Sequence, residues 1–214
     1  MQTALSTHVA MLDLSALVLG LGLGLRHATD ADHVAVVSAM LQREPGVLRA
    51  MRVAALWGLG HTVSFLALGL LIVLAGFRVP ESFERAVELL VAAMLVGLGV
   101  WHLARGSGAN VPKRAISATR PMAVGLVHGL AGSAGVALLA GATIRSPLWA
   151  TLYLALFGVG TVLGMALLTA ALSWPIGWTA RQQRPWSAWI FRLPGALSVA
   201  LGLSLGIECL GFGG

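Results

Sequence analysis

The chain has 214 residues, of which 57% are apolar and only 10% are charged. Soluble domains carry charge on roughly a quarter of their residues, so this composition excludes an ordinary soluble protein and indicates a membrane protein. At roughly 20 residues per helical span, the length allows about six spans and leaves no room for a soluble domain. A single membrane domain, residues 1–214, is therefore predicted.

The formal charge of +6 does not indicate nucleic-acid binding, because the basic residues lie in short loops between apolar runs. That distribution is typical of membrane proteins that follow the positive-inside rule. The one cysteine, Cys209, cannot form an internal disulfide and has no CxxC partner for a metal. Residues 1–11 lack the basic region and cleavage site of a signal peptide, so the first apolar run is expected to be a retained span.

Six apolar segments are predicted to cross the membrane as helices: about 10–41, 53–77, 86–104, 122–143, 148–173 and 193–212. Of the arginines and lysines in the connecting loops, most fall on one side, including those of the basic loop 105–121. The bias predicts a multi-pass protein of the cell (inner) membrane with both termini outside and the basic loops in the cytoplasm.

The first span contains the sequence HATDADH at 27–33. An ionised Asp at mid-membrane costs roughly 2.5–3.5 kcal/mol on insertion scales, so Asp30 and Asp32 need compensation, which a bound cation would supply. On a straight helix His27, Asp30 and His33 share one face while Asp32 points away from it. A rival interpretation is that Arg26 pairs with one of the aspartates and the cluster only ends a short span at the surface.

The length of this span also indicates an interruption. A helix over 10–41 would be about 45 Å long at 1.5 Å per residue, against a hydrocarbon core of roughly 30 Å. A break near Ala28–Asp30 accounts for both the length and the placement of the four polar residues. Discontinuous helices are where many transporters build their ion sites.

Two more histidines are predicted at membrane depth, His61 in the second span and His128 in the fourth. Imidazole with carboxylate suits divalent nickel, cobalt, copper or zinc, and the lack of thiolates argues against cuprous copper. Ligand histidines must be neutral, so binding is expected to weaken below about pH 6. The candidate metal ligands are His27, Asp30, Asp32, His33, His61 and His128.

An internal repeat is also predicted. ALWGLGHTV from Ala55 and ALFGVGTV from Ala155 align at six positions with an offset of one hundred, and LRHA around His27 matches LVHG around His128. The halves, about 10–104 and 122–213, are interpreted as repeats of three spans. Because three is odd, the second copy enters the membrane from the opposite side, which is the inverted-repeat plan of many transporters.

The motif HATDADH, preceded by Arg26, resembles the RHA-x-DADH signature of the nickel/cobalt transporter (NiCoT) family, whose core is H-x4-D-H. LGHTVSF at 59–65 is similar to the LGHS-type motif of that family, and GLVHGLAGSAGV at 125–136 resembles its shorter branch of urease-accessory, high-affinity nickel-permease-like proteins. The resemblance implies Ni²⁺ or Co²⁺ binding by His27, Asp32 and His33, with a contribution from the His61 motif. The longer members have eight spans with the signature in the second, whereas here it lies in the first.

The function predicted from these features is transport of a divalent transition metal, Ni²⁺ first and Co²⁺ second, by an all-α, six-helix, 3+3 inverted-repeat protein. It is not expected to be an enzyme or to hold a resident cofactor. Its expected partners are the metal ion, the lipid bilayer, a second copy of the chain and nickel-enzyme maturation proteins.

Two rival functions stay open at this point. One is a membrane metal-binding accessory protein that does not translocate the ion. The other is a rhomboid-like intramembrane serine protease using Ser133, although its GSAG has the serine one place early and such an enzyme needs no acidic cluster.

Two further interpretations are less specific. Glu208 is either a solvated helix end or a functional acid, and the seven tryptophans, Trp57 included, are taken as interfacial anchors.

Overall fold

The computed structural model describes residues 2–41, 46–105, 118–131, 141–144, 146–181 and 187–211. Within these ranges the chain is helical, which confirms the all-α prediction. The principal helices are α1 (Gln2–His27), α2 (Ala31–Leu41), α3 (Val47–Ala75), α4 (Glu81–Arg105), α5 (Thr119–His128), α6 (Pro147–Arg181) and α7 (Ser187–Cys209).

Three of these helices are long and apolar enough to cross a membrane. They are Val47–Ala75 in α3, Glu81–Ala104 in α4 and Pro147–Trp174 in α6, and each overlaps a span predicted from the sequence. In α1 the stretch whose side chains are described, Leu14–His27, is also apolar. The predicted fourth span, 122–143, is only partly described, because α5 ends at His128 and residues 132–140 lie outside the described part of the chain.

The first predicted span is broken at the HATDADH motif, as its length and polar residues indicate. Helix α1 ends at His27 and α2 begins at Ala31. Between them the amides of Thr29 and Asp30 donate to the carbonyls of Arg26 and His27, at 2.8 and 3.0 Å. These tight turns satisfy carbonyls that would otherwise be left unpaired at the end of α1. The carboxyl end of one half-helix and the amino end of the next therefore meet inside the motif.

Helices α1 and α6 pack closely through glycines on both sides. A Cβ atom on Gly20 would lie 2.8 Å from the carbonyl oxygen of Tyr153, and one on Gly24 would overlap the carbonyl oxygen of Phe157. Small residues allow this approach of two backbones, which is how helices associate in lipid. Because the contact advances by four residues along both helices, α1 and α6 are parallel.

Helices α3 and α5 meet in the same way. A Cβ on Gly125 would overlap the carbonyl oxygen of Trp57, and one on Gly129 would overlap that of His61. The contact again advances in the same sense along both helices, so α3 and α5 are also parallel.

Helix α3 crosses α6 in the opposite sense. The hydroxyl of Thr62 donates to the carbonyl of Gly158 at 3.3 Å, and Gly58 lies against Val162 and Met165. As the chain advances along α3 the partner residue recedes along α6, so these two helices are antiparallel. Helix α1 is parallel to α6 and α5 is parallel to α3, while α3 and α6 are antiparallel. Helices α1 and α5 therefore enter the bundle from opposite ends.

The contacts of the two halves correspond at an offset of 100 or 101 residues. Gly24 packs against the carbonyl of Phe157, and Gly125 packs in the same way against the carbonyl of Trp57. Gly60 packs against the carbonyl of Met122, and Gly160 packs in the same way against the carbonyl of Leu21. Every residue from 51 to 74 is also buried, half-buried or exposed as is the residue one hundred positions later. The similarity of ALWGLGHTV and ALFGVGTV thus extends to the surroundings of each residue.

Candidate metal centre

Four histidines from four helices converge in the interior of the bundle. His27 ends α1, His33 lies in the first turns of α2, His61 is near the middle of α3, and His128 ends α5. As whole residues His27 is 6% exposed, His61 is 1% exposed and the other two are fully buried. The ring centroid of His33 lies 4.5, 5.2 and 4.9 Å from those of His27, His61 and His128. His33 is therefore the centre of the cluster.

The hydrogen bonds of His27 show which of its ring nitrogens carries the proton and which the lone pair. Its Nδ1 is 2.9 Å from Oδ2 of Asp30, and its Nε2 is 3.2 Å from Nε2 of His61. Because an ionised carboxylate only accepts hydrogen bonds, the Nδ1 of a neutral His27 carries the proton. Its Nε2 then has a lone pair directed at His61, so His61 Nε2 is the donor of that second bond.

His33 is oriented by the same principle. Its Nδ1 donates to the carbonyl oxygen of His27 at 2.8 Å, which leaves Nε2 as a lone pair. That Nε2 is buried and has no hydrogen-bond partner among the residues that the structure describes. A buried lone pair without a donor is unusual in a folded protein and marks a place where a ligand can bind.

Asp32 completes the cluster on the side of His128. Its Oδ2 accepts from Nε2 of His128 at 3.0 Å, and its Oδ1 accepts from the backbone amide of His33 at 2.9 Å. The Asp32 side chain is 24% exposed and that of Asp30 is 44% exposed, so the carboxylates lie at the accessible edge of an otherwise buried group.

The helix ends add to the electrostatics of the cluster. Helices α1 and α5 both end at a histidine of the cluster, so both direct the negative ends of their dipoles towards it. Helix α2 begins beside it and has Asp32 in its first turn, where an anionic side chain is favoured. Two carbonyl ends and a carboxylate favour a cation among the four rings.

Two sets of three ligand atoms are close enough to hold a metal ion. One is His27, His33 and His61, and the other is Asp32, His33 and His128, with the ligand atoms of each set within 4.8 Å of one another. Nitrogen and oxygen ligands of this kind suit Ni²⁺, Co²⁺, Cu²⁺ and Zn²⁺.

A comparison with known proteins finds a relative that matches most of the chain. Over 206 residues the chain is 32% identical to a protein named Urease accessory protein UreH from Bacillus sp. (strain TB-90), an alignment that covers 89% of this chain and 90% of the relative. The chain belongs to the UreH family. No family model matches it, and no solved structure matches it.

All six candidate ligands predicted from the sequence of this UreH family member lie in one cluster. Within it Asp30 contacts His27 and Asp32 contacts His128. These contacts differ from the rival interpretation, in which Arg26 pairs with one of the aspartates at the surface end of a short span. Whether these six residues bind metal stays a prediction.

Aromatic side chains enclose the cluster, and these were missed as part of the site. Trp57 was taken as an interfacial anchor, but it is fully buried, with its ring centroid 5.3 Å from that of His33 and 5.5 Å from that of His128. The ring centroid of Phe157 lies 5.3 Å from that of His27 and 4.8 Å from that of Phe65. Trp57 lies four residues before His61, one helical turn, and that spacing is the signal that could have placed it beside the site.

Other predictions lie away from the cluster or outside the described residues. Glu208 is exposed near the end of α7, where the neighbouring Cys209 thiol donates to Glu88 at 3.2 Å. Ser133, the nucleophile of the protease interpretation, and most of the basic loop 105–121 are not among the residues that the structure describes.

Proposed function

We propose that this protein moves a divalent transition metal ion across the membrane by alternating access, with Ni²⁺ as the first candidate and Co²⁺ as the second. The observation that carries the proposal is the convergence of four buried imidazoles and Asp32 at the ends of half-helices. Burying this many polar groups in an apolar bundle is costly unless something binds them.

The distances within the cluster suit a metal of this class. The two Nε2 atoms of His27 and His61 are 3.2 Å apart. With metal–nitrogen bonds of about 2.0–2.1 Å, ligands at that separation subtend about 100° at the ion. That angle lies between those of square-planar and tetrahedral coordination, so an ion could replace the hydrogen bond with little movement of either ring.

Nickel is favoured by the family. The relative in Bacillus is named as a urease accessory protein, and urease is a nickel enzyme. We therefore propose that the chain is a member of the short, high-affinity nickel-permease-like branch of nickel/cobalt transporters, which its motifs resemble. Nickel-enzyme maturation proteins are then the expected recipients of an imported ion.

The proposed architecture has six spans in two inverted repeats of three, in the inner membrane and with both termini outside. It is supported by the matching contacts of Gly24 and Gly125, by the common burial pattern of 51–74 and 151–174, and by the opposite directions of α1 and α5. Transporters of this plan place the ion where broken helices of the two repeats meet.

Alternating access needs a barrier on each side of the ion. Phe65, Tyr153, Leu154 and Phe157 form one apolar cluster, and Phe157 contacts His27. A second cluster includes Trp57, against His33 and His128, together with Val91, Leu95 and Met165. In the proposed mechanism these clusters block opposite sides of the site, and rocking of one repeat against the other opens them in turn.

The direct test is accumulation of radioactive nickel in cells that lack their own nickel uptake. Cells with the wild type are expected to accumulate several-fold more nickel than cells with an empty vector, and the Asp32→Ala variant is expected to remove that difference. Glu84→Ala, which removes an exposed carboxylate in the first turn of α4, is the matched control and should behave as the wild type. All proteins are compared at equal membrane levels.

The other outcomes separate the remaining functions. Lower accumulation that depends on Asp32 would make the protein an exporter. Clear nickel binding by the purified protein without any change in cellular nickel would favour the accessory function, to which the name of the Bacillus relative points. Absence of both binding and transport would refute the metal proposal.

Asp30 is expected to act on the metal through His27. Its carboxylate accepts a hydrogen bond from Nδ1–H of His27, with an N to O distance of 2.9 Å, which fixes the ring and makes Nε2 a better ligand. Loss of such a supporting carboxylate typically costs about 10–100-fold in metal affinity, so Asp30→Asn is expected to weaken Ni²⁺ binding within that range. Titration of the purified protein in detergent measures this. Unchanged affinity would show that Asp30 does not support His27.

A further inference from the structure

We propose that the centre holds one ion in two alternative positions that share His33, and that the ion passes from one to the other during transport. The first position is formed by His27, His33 and His61, and the second by Asp32, His33 and His128. This inference rests on the proposed metal transport and deepens it, because it assigns separate ligand sets to successive stages.

The two positions exclude each other because of His33. Its Nδ1 is engaged with the His27 carbonyl at 2.8 Å, so Nε2 provides its single lone pair. Both sets include His33, and one lone pair binds one metal ion. The centre therefore takes one ion at a time, at either position.

Each position contains a hydrogen bond that an ion would replace. In the first, His61 Nε2 donates to His27 Nε2 at 3.2 Å, and in the second, His128 Nε2 donates to Asp32 at 3.0 Å. Within the described part of the chain the Nδ1 atoms of His61 and His128 have no hydrogen-bond partner, so each ring can take the other tautomer and turn a lone pair towards the ion.

The hydrogen bonds also give the two positions a similar cost in free energy. An ion in the first position leaves the bond between His128 and Asp32 in place, and an ion in the second leaves the bond between His61 and His27 in place. In each state one buried Nδ1–H, that of the histidine that has changed tautomer, lacks a partner among the described residues, so this cost is common to both states.

The positions draw differently on the two halves of the chain, because the first uses residues of the first half alone, whereas the second adds His128 of the second half to Asp32 and His33. His27 ends α1 and His128 ends α5, and these helices approach from opposite ends of the bundle. The sets also differ in charge, because the first has three neutral imidazoles whereas the second includes the Asp32 carboxylate. Rocking of the halves would change which helix end the ion faces, while His33 remains a ligand throughout.

The test counts the ligands of Ni²⁺ bound to the purified, full-length protein by X-ray absorption spectroscopy, with Ni²⁺ alone as the probe. His61→Gln disables the first position, and its ion is expected to have two imidazoles and a carboxylate. His128→Gln disables the second position, and its ion is expected to have three imidazoles and no protein carboxylate. Each protein should bind one ion per chain.

A single site that uses all five residues gives a different result. Each substitution would then remove one imidazole and both variants would keep the carboxylate, which would overturn the two positions. Binding of two ions to the wild type would also overturn them. Asp32→Asn provides a second route to the three-imidazole state, should His128→Gln fail to give monodisperse protein.

The same proteins in the nickel accumulation assay separate this inference from transport itself. Both single variants are expected to bind nickel without transporting it. If the variants bind with different ligand sets but the wild type moves no nickel, the two positions stand and transport is wrong. If the wild type transports nickel and both variants lose the same kind of ligand, transport stands and the two positions are wrong.

Discussion

A His33→Asn variant is expected to lose more Ni²⁺ affinity than any other single substitution in the cluster. His33 contacts the other three rings, its free Nε2 lone pair is fully buried, and it belongs to both possible ligand sets. Loss of a group that merely orients a ligand costs about 10–100-fold in affinity, so loss of a shared ligand should exceed about 100-fold. Equilibrium titration of the purified proteins with Ni²⁺ measures the difference.

His102 provides the matched control for this substitution. It is also a buried histidine, 6% exposed, but it lies on α4 where Gly195 of α7 packs against it, outside both ligand sets. His102→Asn should therefore keep the wild-type nickel affinity. Equal losses in the two variants would mean that substitution of a buried histidine acts through the fold, and retention of affinity by His33→Asn would remove His33 from the centre.

The composition of the candidate site could be predicted because polar residues are costly in apolar helices. Asp30 and Asp32 stand out within the first span, and His61 and His128 within two others. The same reasoning located the helix break, since a helix over 10–41 is too long for the membrane and cannot bring all four polar residues of HATDADH to one face. Local chemistry was sufficient for these predictions.

The partners within the cluster depend on packing that one segment does not specify. Asp30 and Asp32 are two residues apart, yet one contacts His27 of the same motif and the other contacts His128, 96 residues away. The two carboxylates have different partners because the helix is broken between α1 and α2 and because α5 brings His128 close to Asp32. Trp57 was misplaced for a similar reason, because only the contact of α3 with α2 and α5 shows that its ring lies inside the bundle.

Gly24 and Gly125 are expected to be the positions least tolerant of a larger side chain. A Cβ on Gly24 would overlap the Phe157 carbonyl, and one on Gly125 would overlap the Trp57 carbonyl. A backbone carbonyl cannot move aside as a side chain can, so the helices must separate. Overpacking typically costs about 1–3 kcal/mol, and Gly→Leu at a backbone contact should reach or exceed the top of that range.

Gly22 and Gly97 are the controls, because no atom of the described residues lies within 4 Å of a Cβ placed on either glycine. Gly22→Leu and Gly97→Leu should give as much monodisperse protein after detergent extraction as the wild type, whereas Gly24→Leu and Gly125→Leu should give little. The two losses should also be similar, since these glycines make equivalent contacts in the two halves. A severe loss at Gly24 with a mild one at Gly125 would show that the halves are not structurally equivalent, and would remove the main support for rocking one repeat against the other around His33.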